Sequence, residues 1–219
     1  MNLIQKNLYT MKFTKQQHEA LIGISLGDGH LRRSISSIKK SWSNTYLTIT
    51  FAERFRPFAI NIFDMFEGYW RPLGFRTSSV QSGKGSPFYK RITLVSKTLP
   101  IFNFYHSLFY ILSDNGKFVK FLPDTIQELL TPISLAYWIM GDGNYNPINK
   151  CFRLSTHSFS KQEVELISSA IFNKFGIKSK LEHVRNEQYM VRIRGSDLIK
   201  LQNLIKAHVI ASMLYRIGL

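Results

Sequence analysis

The chain has 219 residues, enough for one large domain or two small ones, and 44% are hydrophobic, which permits a packed core and argues against wholesale disorder. Lys and Arg number 29 against 14 acids, leaving +15, and a globular chain this basic calls for a polyanionic partner, either nucleic acid or an anionic surface. The single cysteine, Cys151, excludes an intramolecular disulfide or a cysteine zinc site and reads as a buried, inert thiol. Residues 1–10 lack the apolar core of a signal peptide. The longest apolar stretch, 102–112, is interrupted by Asn103, His106 and Ser107 and is too short to cross a bilayer, so no membrane partner is expected.

The predicted elements run through one pattern twice. Thr14, with Gln17 three residues on, forms a capping box. The apolar run Leu21, Ile22, Ile24, Leu26 continues this first helix, and Asp28-Gly29 stops it. In residues 46–51, Leu47, Ile49 and Phe51 alternate with Tyr46, Thr48 and Thr50, as in a half-buried strand. Residues 56–70 read as a helix, 76–81 and 88–95 as a hairpin around Ser82-Gly83-Lys84-Gly85, and 99–112 as a third helix.

The cycle then restarts. Thr131 is an N-cap with Pro132 at the first helical position. Leu135 to Met140 is apolar, and Gly141-Asp142-Gly143 ends the run. Residues 150–156 read as a strand. Ser160 caps a helix reaching about Lys174, with Gly176 as its stop. Residues 178–184 and 188–194 read as a hairpin, and Ser196 starts a last helix. Each half therefore reads αββαββα. The fold class is α+β, with pseudo-symmetric halves at 14–112 and 131–219 and a linker at 113–130 carrying the turn signals Asn115-Gly116 and Pro123-Asp124.

The hairpins sort their residues by face. Tyr189, Val191 and Ile193 alternate with Gln188, Met190, Arg192 and Arg194; Phe88, Ile92 and Leu94 alternate with Tyr89, Arg91 and Thr93. One face buries, and the other offers Arg, Thr, Gln and Tyr. A strand pair of this kind enters a DNA major groove, where Arg reads guanine and Gln reads adenine. An ordinary solvated sheet face shows the same alternation, and the net charge favours the DNA reading. The candidate contacts are Thr48, Thr50, Tyr89, Arg91, Arg153, Lys180, Gln188, Arg192 and Arg194 on strands, with Arg32, Arg33, Lys39 and Lys40 gripping phosphates from a loop.

Two segments, Leu21 to Gly29 and Leu135 to Gly143, both begin with Leu and end Gly-Asp-Gly. An acid at a helix C-terminus lies on the negative end of the dipole, at a cost of roughly 0.3–1 kcal/mol. Both helices carry it at the same place. Carboxylates beside helix-end carbonyls, here at Gly27 and Gly141, are what a hard divalent cation takes. Gly23, Gly27, Ala136 and Gly141 would let the two helices approach closely. Plain Asp-Gly turns are the bland alternative for a single segment; a matched pair heading two similar halves of a basic chain argues against them. Asp142, Asn144 and Asn146 have the opening spacing of a calcium EF-hand loop, but Pro147 and Arg153 occupy its glycine and glutamate positions.

Both segments resemble the LAGLIDADG motif of homing endonucleases, with Asp28 and Asp142 at the last acidic position. The run from Leu130 to Gly143, and Thr156-His-Ser-Phe-Ser followed by Glu163-Val164, are similar to the monomeric intron-encoded subgroup. The resemblance covers nearly the whole chain from Thr14. It implies a saddle of two αββαββα halves with the motif helices at the central interface and the sheets on DNA. It also implies a monomer that hydrolyses both strands of double-stranded DNA at a long specific target. Mg2+ or Mn2+ would be held by Asp28 and Asp142 with the carbonyls of Gly27 and Gly141, and Ca2+ is expected to bind there without supporting cleavage. A basic residue in each half supports the water network in that family. Lys120 matches one position, and Arg216 stands where lysine is usual; arginine stabilises phosphate charge but is a poor proton acceptor. The expected catalytic set is Asp28, Asp142, Lys120 and Arg216.

Rival readings are a maturase of the same fold bound to intron RNA, a DNA binder that has lost catalysis, and a basic structural module. Both motif aspartates argue against the second, and the matched acids against the third. Abundant Lys, Ile, Asn, Phe and Tyr suits an AT-rich gene, so an intracellular, mitochondrial or other organellar location is expected.

Overall fold

The computed structural model describes residues 12–33, 43–81, 83 and 85–219. Lys39 and Lys40 lie outside them. The described residues form two compact units: those of Asp28–Leu108 with 12–17, and Phe109–Leu219 with His18–Gly27.

The first unit holds a four-stranded antiparallel sheet, β1 (Gly29–Arg32), β2 (Tyr46–Ala52), β3 (Trp70–Gln81) and β4 (Phe88–Ser96), in the order β1-β2-β4-β3. Leu31, Leu47, Ile49, Phe51, Ile92 and Leu94 are buried. Helix α2 (Arg56–Met65) buries Phe58, Ala59 and Ile62. Phe13 packs among Phe66, Tyr69, Phe102 and Tyr105, its ring centroid 4.7 Å from that of Tyr69. His106, on α3 (Ile101–Phe109), is buried; burial, and then the charge of Arg33, push its imidazole down to about 4.

Three expectations change here. The helix read over 56–70 ends at Met65, and Trp70 begins β3. The helix read over 99–112 ends at Phe109. Tyr110–Leu112 instead forms β5, paired in the second unit with β6 (Phe118–Lys120) across the Asn115-Gly116 turn. Phe88, expected on the buried face, is 71% exposed at the far end of the β3–β4 hairpin.

In the second unit β7 (Gly143–Asn146), β8 (Cys151–Ser155), β9 (Lys180–Arg185) and β10 (Gln188–Arg194) follow the order β7-β8-β10-β9. Position for position this repeats the first sheet. Val191 and Ile193 are buried while Arg194 is exposed, as the alternation requires. Helix α6 (Lys161–Phe175) has the capping box of Ser160 with Glu163, and Gly176 ends it at φ 65°. The other Glu163 oxygen accepts from the Leu122 N–H at 2.7 Å, which ties the segment after β6 to this helix start. The short α4 (Ile126–Leu129), α7 (Gly195–Ile205) and a 3-10 helix over Ala211–Ile217 complete the unit. Cys151 is buried and free. No helix among the described residues is long and apolar enough to cross a membrane.

The two motif helices meet inside this unit. Helix α1 (Lys15–Leu26) is capped by Thr14 and Gln17, and every residue from Glu19 to Leu26 is buried. Helix α5 (Pro132–Asp142) starts at a capping box of Thr131 with Ser134 and buries Ser134 to Met140. A Cβ at Gly23 would lie 2.1 Å from the Ser134 carbonyl oxygen and 3.0 Å from the Trp138 nitrogen. Gly23→Ala therefore opposes two effects. Helix propensity favours alanine by about 1 kcal/mol, but the clash is with backbone and cannot be relieved by a rotamer. A net loss of about 3 kcal/mol or more is expected, read as a lower midpoint in urea unfolding. An unchanged midpoint would show that the backbones do not approach this closely.

Candidate active site and nucleic-acid face

At the end of helix α1 the Gly27 N–H donates to the Gly23 carbonyl at 3.2 Å. At this end the Lys120 ammonium donates to the carbonyls of Leu26 and Gly27 at 3.1 and 3.0 Å. The end of α5 is treated alike. Arg216 donates to the Gly143 carbonyl through one nitrogen and to the Gly141 carbonyl through another, at 3.3 Å. Each motif helix thus ends on one basic side chain, where the terminal carbonyls concentrate partial negative charge. The Lys120 ammonium also lies 5.7 Å from the centre of the Phe159 ring, which stands edge-on to Trp138.

Asp142 is the last residue of α5. A Cβ at position 27 would fall 2.8 Å from its Oδ2 and 3.2 Å from the Trp138 Cδ1, so glycine at 27 is what lets the carboxylate lie over the end of the other motif helix. Asp28 follows Gly27 directly and precedes β1. One corner of the second unit therefore gathers the Asp142 carboxylate, the carbonyls of Leu26 and Gly27, and the Lys120 ammonium. Carboxylate and carbonyl oxygens are hard donors and fit Mg2+ rather than a soft metal.

The candidate nucleic-acid residues distribute over both sheets. In the first unit Thr50 and Arg32 are exposed, Thr48 is half-buried, and Thr50 pairs with Thr93 in register. Tyr89 is exposed, and Arg91 donates to the Ser78 hydroxyl at 3.3 Å. Arg33, expected to grip phosphate, donates through Nε to the Ser43 carbonyl at 2.9 Å, so part of its guanidinium binds its own loop.

In the second unit Lys180, Arg192 and Arg194 line a cleft of about 630 Å³ together with Lys178, Ser179 and Asp197. Gln188 sits at the start of β10, where it pairs with Arg185. Arg153 is bound bidentately by Glu182, with Nε–Oε2 at 3.0 Å and a terminal nitrogen to Oε1 at 2.8 Å. The hydrogen bond from Arg153 holds the Glu182 carboxyl below the usual carboxylate range. Sequence reasoning passed over Glu182. Its one local signal was its position two residues after Lys180 on a strand, which puts both on one face.

The family model described as the LAGLIDADG DNA endonuclease family matches residues 18–201. The chain is 28% identical over 206 residues to the cytochrome b mRNA maturase bI2 of Saccharomyces cerevisiae, covering 90% of this chain and 46% of that protein. It thus spans less than half the length of that relative. It is 36% identical over 110 residues to the "Probable intron-encoded DNA endonuclease 3" of Mycosarcoma maydis, covering 50% of this chain and 80% of that one. Among solved structures, the homing endonuclease I-WcaI bound to its DNA recognition sequence has the same fold, with a TM-score of 0.79 at 22% identity over 99% of this chain and 92% of that one. With the motif helices in contact, the sheet order repeated in both units and the family model matched over most of its length, the chain belongs to the LAGLIDADG DNA endonuclease family.

Proposed function

We propose that this protein is a monomeric, site-specific double-stranded DNA endonuclease of the homing type. The observation that carries the reading is the matched pair of helix ends: an aspartate at each, and a cation, Lys120 or Arg216, donating to the last carbonyls of each. A structural module gains nothing from acids placed on the negative end of two helices; phosphodiester hydrolysis needs both the acids and the neighbouring cations.

Asp28 and Asp142 would hold Mg2+ or Mn2+, with the carbonyls of Gly27 and Gly141 beside them. A divalent ion bound there would lower the pKa of water and neutralise phosphate charge. The chain's own groups do the rest. Lys120 and Arg216 stabilise the charge that develops on the phosphate, and the Phe159 ring lies beside the Lys120 ammonium. Arg216, always protonated, acts by charge alone. The polar sheet faces position the duplex.

The identity to a yeast mRNA maturase favours one second reading, in which intron RNA is the partner. The two separate in a direct assay. The purified chain is expected to cut a subset of a randomised duplex plasmid library on both strands in Mg2+. It should also bind duplex DNA in preference to a structured intron RNA. RNA preference without cleavage would establish the maturase reading instead.

A further inference from the structure

The second sheet places its cations in a row. Arg192 stands directly opposite Arg153 on β8 and opposite Lys180 on β9. Directly opposed residues share a face, and like charges there are destabilising. One carboxylate resolves the row. Glu182 reaches from β9 across the intervening β10, accepts both bonds from Arg153, and keeps Oε2 3.5 Å from a terminal nitrogen of Arg192. The side chains of Arg153, Glu182 and Arg192 are about three-quarters covered, with relative exposures of 23%, 25% and 26%. They are therefore not the freely waving surface pair whose net worth is near zero.

The two arginines are held differently. Arg153 commits its Nε and one terminal nitrogen to Glu182, while Arg192 is only drawn to one side at ion-pair distance and keeps its fork. A carboxylate in a face meant for phosphate also repels phosphate, and more strongly in a largely covered site than in open water. On such a face it costs non-specific affinity. It is useful where it orients guanidinium groups toward base edges.

We propose that Glu182 is a specificity-determining residue of the second sheet, pinning Arg153 and steering Arg192 so that the row reads bases instead of phosphates. The inference rests on the endonuclease reading. The two are tested together by selecting bound duplexes from a randomised DNA library and measuring affinity for a mixed-sequence duplex. Wild type, Glu182→Gln and Glu182→Asp are compared in buffer without divalent cations. The wild type is expected to enrich a defined motif. Glu182→Gln should lose preference at one block of adjacent positions by roughly tenfold, within what one bidentate base contact supplies, while binding the mixed duplex at least as tightly. Glu182→Asp keeps the charge but shortens the reach, so it should lose the same preference with mixed-duplex affinity unchanged. A wild-type motif left intact by both variants, or weakened uniformly at every position, overturns the role of Glu182 alone. A wild type that enriches no motif overturns the endonuclease reading and this inference with it.

Discussion

Replacing Asp28 or Asp142 by asparagine is expected to remove double-strand cleavage while leaving binding. The substitution keeps the side-chain shape and deletes the charge that holds a divalent cation. The several kcal/mol of charge stabilisation that such an ion supplies correspond to roughly 10²–10⁴-fold in rate. Folding should survive. The last residue of α5 lies on the negative end of its dipole, where a carboxylate contributes little favourable energy. Arg216 continues to satisfy the Gly141 and Gly143 carbonyls. In a chelator, affinity for duplex should hold or rise slightly, because a carboxylate near phosphate repels it when no cation intervenes. The measurement is paired: gel-shift affinity in chelator, and plasmid cleavage in Mg2+. Full cleavage by both variants would remove these residues from the reaction. Loss of binding together with cleavage would assign them to the packing of the motif helices.

Binding itself should depend steeply on salt. The chain carries +15, and the polar faces of both sheets carry cations outside the Glu182 row, Arg32 and Arg91 in one unit and Arg194 in the other. A duplex held through about 6–10 phosphates releases that many counterions, and affinity then falls roughly 10³–10⁵-fold between about 50 and 200 mM salt. Fluorescence anisotropy on a duplex across that range measures the slope. A flat profile would mean that the basic surface does not bind nucleic acid, whatever the chemistry at the helix ends. Combined with the aspartate variants, the salt series separates attraction to the backbone from the cutting step, because neither substitution alters the sheets.

What the sequence determined by itself is what short-range physics decides. The capping boxes of Thr14 with Gln17 and of Ser160 with Glu163 form because side chain and N–H lie three residues apart, and the end at Gly176 needs only one backbone conformation. The alternation of Leu47, Ile49 and Phe51 placed one face of β2 in the core. The repeated Gly-Asp-Gly marked both helix ends, and glycine at 23 announced a close approach without saying to what.

The rest was settled by partners far apart along the chain. Tyr110-Ile111-Leu112 suits a helix or a strand locally, and pairing with Phe118–Lys120 decided for a strand. By order, Leu21 to Gly27 belongs with the first half, yet these residues pack with the second, because Gly23 lets their helix lie on the Ser134 carbonyl. Lys120 meets the Gly27 carbonyl across 93 positions, and Arg216 meets Gly143 across 73. Glu182 finds Arg153 only because β10 runs between their strands. Charge and periodicity state which residues seek a partner; strand order and helix contact decide which partner each one reaches, because these pairs are distant in sequence and adjacent only after the chain has packed.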